Sequence, residues 1–105
     1  MEVFITINNL LQSTNIYLNE TNNLCSLNGD IIPTKNVKDI VKQLVGITAN
    51  WGKYSTTSSP VFDGESFLVE FNLNGNKTTF RGANKFPKNY REFQLLIREI
   101  KNGRN

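Results

Sequence analysis

The fold is decided by residues 67–81, which read FLVEFNLNGNKTTFR. Asn74-Gly75, in the middle of this stretch, is a strong signature of a two-residue β-hairpin turn, because both residues tolerate positive φ angles. A turn there predicts three cross-strand pairs: Leu73 with Asn76, Phe71 with Thr78, and Val69 with Phe80. The stretch therefore predicts two antiparallel strands with a defined register.

That register gives the predicted hairpin one apolar and one half-polar face, because successive side chains of a strand point to opposite sides. The apolar face is a predicted core surface and contains Phe67, Val69, Phe71, Leu73 and Phe80. The other face carries Leu68, Glu70 and Asn72 opposite Lys77, Thr79 and Arg81. Since this second face is half polar, we expect solvent to reach it.

The N-terminal third predicts further strands. Val3, Ile5 and Ile7 alternate with Phe4, Thr6 and Asn8, which is the two-residue period of a half-buried strand. Residues 15–20 and 24–32 are two more candidates, and asparagine- and glycine-rich turn sequences lie between and within them.

Two amphipathic helices complete the pattern. Thr34 or Asn36 is the predicted N-cap of the first helix, and Pro87 suits the first position of the second. The apolar stripe of the first helix comprises Val37, Ile40, Val41, Leu44 and Val45. The stripe of the second comprises Tyr90, Phe93, Leu96, Ile97 and Ile100.

These elements predict an α+β fold in the order β-β-β-α-β-β-α. We expect a two-layer sandwich, in which two helices cover one face of an antiparallel sheet of about five strands. The 105 residues are the usual length of one domain, so residues 1–105 are predicted to form a single unit.

The residue types present argue against catalysis. There is no histidine and only one cysteine, which excludes an ordinary zinc site and removes the usual general base. Asp63, Glu65 and Glu70 could form a carboxylate pair for acid–base chemistry, but the sequence predicts no cleft to hold one. We interpret them as a solvated turn and a surface ion pair. The sequence predicts a protein that is not an enzyme and that has no cofactor or metal.

Cys25 and the N-terminal residues indicate the cellular compartment in which we expect the protein. Cys25 lies between Leu24 and Leu27 without a basic neighbour, so we interpret it as a core residue rather than a reactive thiol. A single cysteine forms no internal disulfide, which favours a reducing compartment. Residues 1–11 resemble neither a signal peptide nor a membrane span. We therefore expect a cytoplasmic protein without a membrane partner.

Charge is distributed unevenly along the chain. Residues 1–34 contain three acidic residues and no lysine or arginine, whereas residues 81–105 contain seven basic residues against two glutamates, a local charge of +5. The basic residues of the second helix suggest nucleic-acid binding as an alternative function. Glu92 and Glu99 interrupt this basic surface, so nucleic acid ranks below protein as the expected partner.

The long segment between the first helix and the hairpin is the predicted contact region, because long loops of compact domains are often functional. The candidate partner-binding residues are Trp51, Tyr54, Asp63 and Glu65. A core position is the competing interpretation of Trp51, since large aromatic residues at helix ends are usually buried.

Residues 82–93, which read GANKFPKNYREF, are similar to a Gly-x-Asn-x-aromatic-Pro-x-Asn-aromatic-x-x-Phe pattern in small bacterial proteins. The chain, mainly residues 63–100, resembles small immunity proteins of contact-dependent growth inhibition and related toxin systems. The resemblance implies an inhibitor that neutralises a cognate toxin domain, such as a nuclease, by direct binding. An inhibitor of a protease or of a defence protein is a further alternative, and the oligomeric state stays open.

Overall fold

The computed structural model describes residues 1–33, 36–49, 51, 65–83, 87 and 89–103. Its strands and helices follow in the order β1 (Glu2–Asn8), β2 (Ser13–Asn19), β3 (Leu24–Leu27), β4 (Asp30–Ile32), α1 (Val37–Thr48), β5 (Ser66–Leu73), β6 (Asn76–Ala83) and α2 (Tyr90–Lys101). The α+β class is confirmed. Neither of the described helices is long and apolar enough to cross a membrane.

The strands form one sheet in the order β4-β3-β2-β1-β5-β6, with every neighbouring pair antiparallel. The sheet has six strands rather than about five because the predicted strand 24–32 is divided by a turn. Asn28 and Gly29 have φ angles of 51° and 90°, the left-handed backbone that a tight hairpin turn requires.

The register predicted for the β5–β6 hairpin is confirmed. Asn74 and Gly75 have φ angles of 51° and 86°, and Phe71 lies opposite Thr78. The core face is shorter than predicted, because Leu73 is 47% exposed at the end of the hairpin. Phe80 is only partly buried against the core.

The two helices begin at different kinds of cap. The side-chain oxygen of Asn36 accepts a hydrogen bond from the Asp39 amide at 3.2 Å, which confirms Asn36 as an N-cap; Thr34 lies outside the described residues. Helix α2 begins at Tyr90 rather than at Pro87, whose carbonyl accepts a hydrogen bond from the Tyr90 amide at 3.1 Å.

Both helices pack against the same face of the sheet, and the core lies between the two layers. Each predicted stripe is buried except at Val45, which is 44% exposed. Cys25 is 1% exposed, which confirms its place in the core, and burial raises the pKa of its thiol to about 11. The buried sheet residues are Val3, Ile5, Ile7, Thr14, Ile16, Leu18, Cys25, Phe67, Val69, Phe71 and Gly82.

The opposite side of the sheet, here called the open face, is not covered by either described helix. Its side chains are half-buried or exposed, as predicted for the β5–β6 part of it. On β1, β2, β5 and β6 it presents Glu2, Phe4, Thr6, Asn15, Tyr17, Asn19, Leu68, Glu70, Asn72, Lys77, Thr79 and Arg81.

Candidate protein-binding surface

Trp51, the first of the predicted contact residues, is a core residue. Its side chain is only 5% exposed, and its ring centroid lies 5.2 Å from that of Phe67 and 5.4 Å from that of Phe93. The competing interpretation is therefore the one that the structure supports, because a ring enclosed by other aromatic rings has no face left for a partner.

Glu65 is half-buried and accepts a hydrogen bond from the hydroxyl of Tyr90. Burial, and then this hydrogen bond, raise the pKa of Tyr90 above its ordinary value. Glu65 thus has a structural contact with the first turn of α2, in addition to any contact with a partner. Tyr54 and Asp63 lie outside the described residues, so the predicted patch is not assembled as one surface among the residues that the structure describes.

The open face carries a pair of aromatic rings, of which Phe4 is exposed and Tyr17 is half-buried. Phe4 on β1 lies directly opposite Tyr17 on β2, and their ring centroids are 5.0 Å apart at an interplanar angle of 43°. Phe4 remains 39% exposed. Aromatic side chains in this position are typical anchors of protein interfaces, because they bury a large apolar area at a small cost in side-chain entropy.

Polar groups hold Tyr17 in place beside Phe4. The Tyr17 hydroxyl donates a hydrogen bond to the carboxylate of Glu2 and accepts one from the Asn19 amide at 3.1 Å. The hydrogen bond to Glu2, and then desolvation, raise the pKa of Tyr17. The ring pair is therefore held in place before binding, so its own side chains lose little conformational freedom when a partner binds.

Two registered pairs join β1 to β5 next to the rings. Glu2 lies opposite Asn72, and Phe4 lies opposite Glu70. These four residues, here called the quartet, share one face of neighbouring strands, where opposing Cβ atoms are about 4.5–5.5 Å apart. The quartet combines two carboxylates, an amide and an exposed ring.

Asn72 is the unusual member of the quartet. Its Oδ1 atom is buried and has no hydrogen-bond partner within the described part of the chain. Buried acceptors are normally paired, so each exception calls for a structural or functional reason. Asn72 and Glu2 also border a polar hollow of about 450 Å³ at this end of the sheet.

No protein-family model, curated protein or solved structure matches the chain. The described residues also contain no group of three or more histidine, cysteine, aspartate or glutamate side chains placed to hold a metal ion.

A second surface lies on the helical side of the molecule, between α2 and the turn that joins β1 to β2. Here a groove of about 300 Å³ is bordered by Arg91, Arg98 and Lys101 of α2, with Glu65 at its edge. The adjacent turn is held by Asn9, whose side-chain oxygen accepts hydrogen bonds from the amides of residues 11 and 12 at 2.9 and 3.0 Å. This turn exposes Leu10 and Leu11 by 68% and 94%.

The candidate surface on the open face was not found from the sequence, although one signal for it was present. Phe4 is a large aromatic residue on the polar side of an otherwise regular alternation of apolar and polar residues. The fold does not require an aromatic side chain at a solvent-facing position. The neighbours of Phe4 on β5, Glu70 opposite it and Asn72 on the diagonal, could not be assigned from the sequence, because this pairing joins segments more than fifty residues apart.

Proposed function

We propose that the chain is a non-enzymatic protein-binding module, an inhibitor of the immunity type that neutralises a cognate toxin domain by binding to it directly. The observation that carries the proposal is the Phe4–Tyr17 ring pair on the open face. In protein interfaces, aromatic side chains surrounded by a polar rim commonly contribute much of the binding free energy.

The charge around the ring pair supports a basic partner. Glu2 and Glu70 flank Phe4, and residues 1–34, which contain β1 to β4, have no lysine or arginine. Lys77 and Arg81 of the open face lie on the outer strand β6, so its acidic part is the region around β1. Complementary charge increases the rate of association and excludes wrongly charged partners. Toxins that act on nucleic acids bind a polyanion and hence present basic surfaces, so a nuclease fits this face.

The resemblance to immunity proteins supports the same proposal through the fold. Of the residues that carry it, Gly82, Pro87, Tyr90 and Phe93 are buried. Tyr90 and Phe93 pack against Trp51 and each other, with the Tyr90–Phe93 centroids 5.3 Å apart. These motif residues therefore pack α2 onto the sheet, and none of them belongs to the open face.

We further propose a cytoplasmic location, which suits an immunity protein that meets its toxin inside the cell. The buried thiol of Cys25 agrees with a reducing compartment, because no disulfide is required for the core.

Nucleic-acid binding is the second candidate, and the groove beside α2 is the observation that favours it. Arg91, Arg98 and Lys101 border one concave surface, as contacts to phosphates require. Glu65 lies at the same groove, and Glu92 and Glu99 are exposed on the same helix. Glu65 lowers the positive potential within the groove, whereas Glu92 and Glu99 border a different hollow, between α1 and α2. A carboxylate in the groove makes phosphate contacts less favourable, so the protein-binding proposal ranks first.

Co-purification followed by growth rescue tests the proposal. The tagged chain is co-expressed with the toxin domain encoded beside its gene, and we expect a 1:1 complex that restores growth. The contact area of such a complex is typically about 1,200–2,000 Å². A toxin of an unrelated type serves as the control and should not be neutralised. Absence of both complex and rescue would reject the immunity function.

A further inference from the structure

The two outer strands of the sheet differ in length. β4 has three residues, whereas β6 has eight and contains no proline. Within the described part of the chain, β6 is paired with β5 alone. A long strand edge is a template for a further strand, and a very short one is not. β6 is therefore the edge at which this sheet can be extended.

The turn between β5 and β6 determines which residues of β6 direct their backbone groups outward. In a two-residue hairpin the residues that flank the turn, here Leu73 and Asn76, form a hydrogen-bonded pair, and the pattern then alternates along the strand. The N–H and C=O groups of Lys77, Thr79 and Arg81 thus point away from β5. These three residues are exposed, so an incoming strand can reach their backbone groups.

An apolar hollow of about 250 Å³ lies beside β6 on the helical side of the sheet. Its walls come from the C-terminal end of α1, from Met1 and from the hairpin, and Thr78 and Phe80 of β6 border it. Phe80 is only partly buried, and Val45 of α1 is 44% exposed at the same hollow. Alternate side chains of an added strand lie on this side of the sheet, so an apolar one near Phe80 would fill the hollow.

The open-face side of β6 determines the charge that suits an incoming strand. Lys77 and Arg81 lie on this side, with Thr79 between them. Glu70 of β5 is opposite Thr79 and hence diagonal to both cations, which leaves two positive charges beside one negative charge. Carboxylates opposite Lys77 and Arg81 would balance them, since opposite charges on facing strands stabilise a sheet.

The same charges disfavour a second copy of this chain as the occupant. Antiparallel pairing of two β6 strands about Thr79 would place Lys77 of each copy opposite Arg81 of the other, and like charges directly opposite are destabilising. The residues that oppose self-association through this edge therefore favour an acidic strand.

We propose that β6 binds an extended acidic segment of the protein partner as an additional antiparallel strand of the sheet. Acidic residues of the segment lie opposite Lys77 and Arg81, and an apolar residue enters the hollow beside Phe80. In this mode main-chain hydrogen bonds give affinity and alternate side chains give specificity. The inference rests on the proposed function for the identity of the partner, whose basic surface contacts the region around β1 while the acidic segment contacts β6.

Titration of the ¹⁵N-labelled chain with the blocked peptide Val-Glu-Val-Thr-Phe-Glu-Val tests the site without the partner. Antiparallel pairing about Thr79 places its glutamates opposite Arg81 and Lys77. We expect saturable shifts of β6 amide signals with a dissociation constant on the order of 0.1–1 mM, because a short peptide loses much conformational freedom on binding. The same peptide with an N-methyl group on its threonine keeps every side chain but lacks one donor to β6, and should bind at least about fivefold more weakly.

Thr79→Pro is the first test variant, because proline removes an outward N–H of β6 without removing a hydrogen bond to β5. Ile31→Pro is the matched control, since Ile31 is 72% exposed on the other outer strand, β4, and follows the same outward pattern. Peptide binding should fall at least about fivefold in Thr79→Pro and stay unchanged in Ile31→Pro. The dispersion of the spectra shows whether both variants are folded.

Charge exchange tests the same edge with every backbone donor retained. Lys77→Glu/Arg81→Glu changes two exposed residues and should weaken binding of the acidic peptide. It should strengthen binding of the peptide that has lysine at both glutamate positions. Lys38→Glu/Lys42→Glu, an equal charge change on the exposed side of α1, is the control and should leave the preference for the acidic peptide unchanged.

Equal binding of the N-methyl peptide, no binding of either peptide, or shifts centred outside β6 would overturn the strand site. A native chain that sediments as a dimer and becomes monomeric in Thr79→Pro would show that a second copy occupies the edge, against the proposal. The two proposals fail separately. A chain that binds the peptide at β6 but neutralises no toxin retains the site and loses the immunity function, whereas undiminished neutralisation by folded Thr79→Pro retains the function and excludes β6 as a contact with the toxin.

Discussion

The indole N–H of Trp51 donates a hydrogen bond to the side-chain oxygen of Asn89, and the amide nitrogen of Asn89 donates one to the carbonyl of Ile47 at 2.7 Å. Asn89 lies immediately before α2, and Ile47 lies in the last turn of α1. One amide side chain thus connects the end of the first helix to the start of the second. Asn89 makes these contacts in place of the usual cap hydrogen bond, which it does not form.

Asn89→Ala should lower the free energy of unfolding by about 1–3 kcal/mol, because it leaves the buried indole N–H of Trp51 without an acceptor. Urea denaturation measures this change, and the fluorescence of Trp51, the only tryptophan of the chain, follows the transition. Gln94→Ala on the exposed side of α2 is the control, with an expected change within about 0.5 kcal/mol. Equal effects of the two substitutions would show that Asn89 does not connect the helices.

Phe71→Ala should lower the free energy of unfolding by about 3–5 kcal/mol, because it leaves a cavity between the sheet and the helices. Phe71 is 7% exposed, whereas Leu73, two residues along the same face, is 47% exposed. Leu73→Ala is therefore the matched control and should cost less than about 1.5 kcal/mol. Equal losses in chemical denaturation would mean that the core extends to the end of the hairpin.

The free energy of unfolding should fall with rising pH between about 9 and 11, and Cys25 should contribute to this fall. Burial raises the pKa of its thiol from the usual 9.0 to about 11. In this range the unfolded chain has lost the thiol proton and the folded chain retains it, so the unfolded state binds fewer protons and is favoured as pH rises.

Urea denaturation at several pH values across this range measures the slope. Cys25→Ala removes the titrating group, so its slope should be shallower than that of the native chain; Tyr17 and Tyr90, whose pKa values are also raised, remain in both. Leu24→Ala, an adjacent change without a titrating group, should keep the native slope. Identical slopes in all three chains would exclude Cys25 as a source of the pH dependence.

Much of the fold could be predicted because local signals and tertiary packing agree. The Asn74-Gly75 turn determined the hairpin register, and the helical stripe from Tyr90 to Ile100 was buried as expected. The same turn chemistry at Asn28-Gly29 divides a nine-residue segment into β3 and β4. Hydrophobic pattern alone did not distinguish one long strand from two short ones, which is why the sheet has one strand more than expected.

The candidate site was harder to predict, because it depends on pairing between distant strands. Trp51 was proposed as a contact residue from its place in sequence, but the aromatic residues that enclose it come from β5, β6 and α2. Conversely, Phe4 acquires its acidic neighbour Glu70 only when β1 pairs with β5. Local periodicity assigns a residue to a face of its own strand and contains no information about the next strand.

Duplex DNA and RNA should bind only weakly at physiological salt, with a dissociation constant of about 10⁻⁴ to 10⁻⁶ M that increases steeply with salt concentration. The carboxylate of Glu65 borders the same groove as the basic residues of α2, so the interaction is expected to be weak, electrostatic and without sequence preference. Fluorescence anisotropy with labelled duplexes at several salt concentrations measures it. Sequence-selective binding in the nanomolar range would make nucleic acid the primary partner.

We propose that the open face binds the toxin that the chain neutralises, and calorimetric titration with the toxin domain encoded beside its gene tests this most directly. The three chains to compare are the native protein, the open-face variant Phe4→Ala/Glu70→Lys, and the groove control Arg91→Gln/Arg98→Gln. We predict a 1:1 complex for the native chain and the control, and binding at least about tenfold weaker for the open-face variant. No binding by the native chain, or undiminished binding by the open-face variant, would contradict the claim.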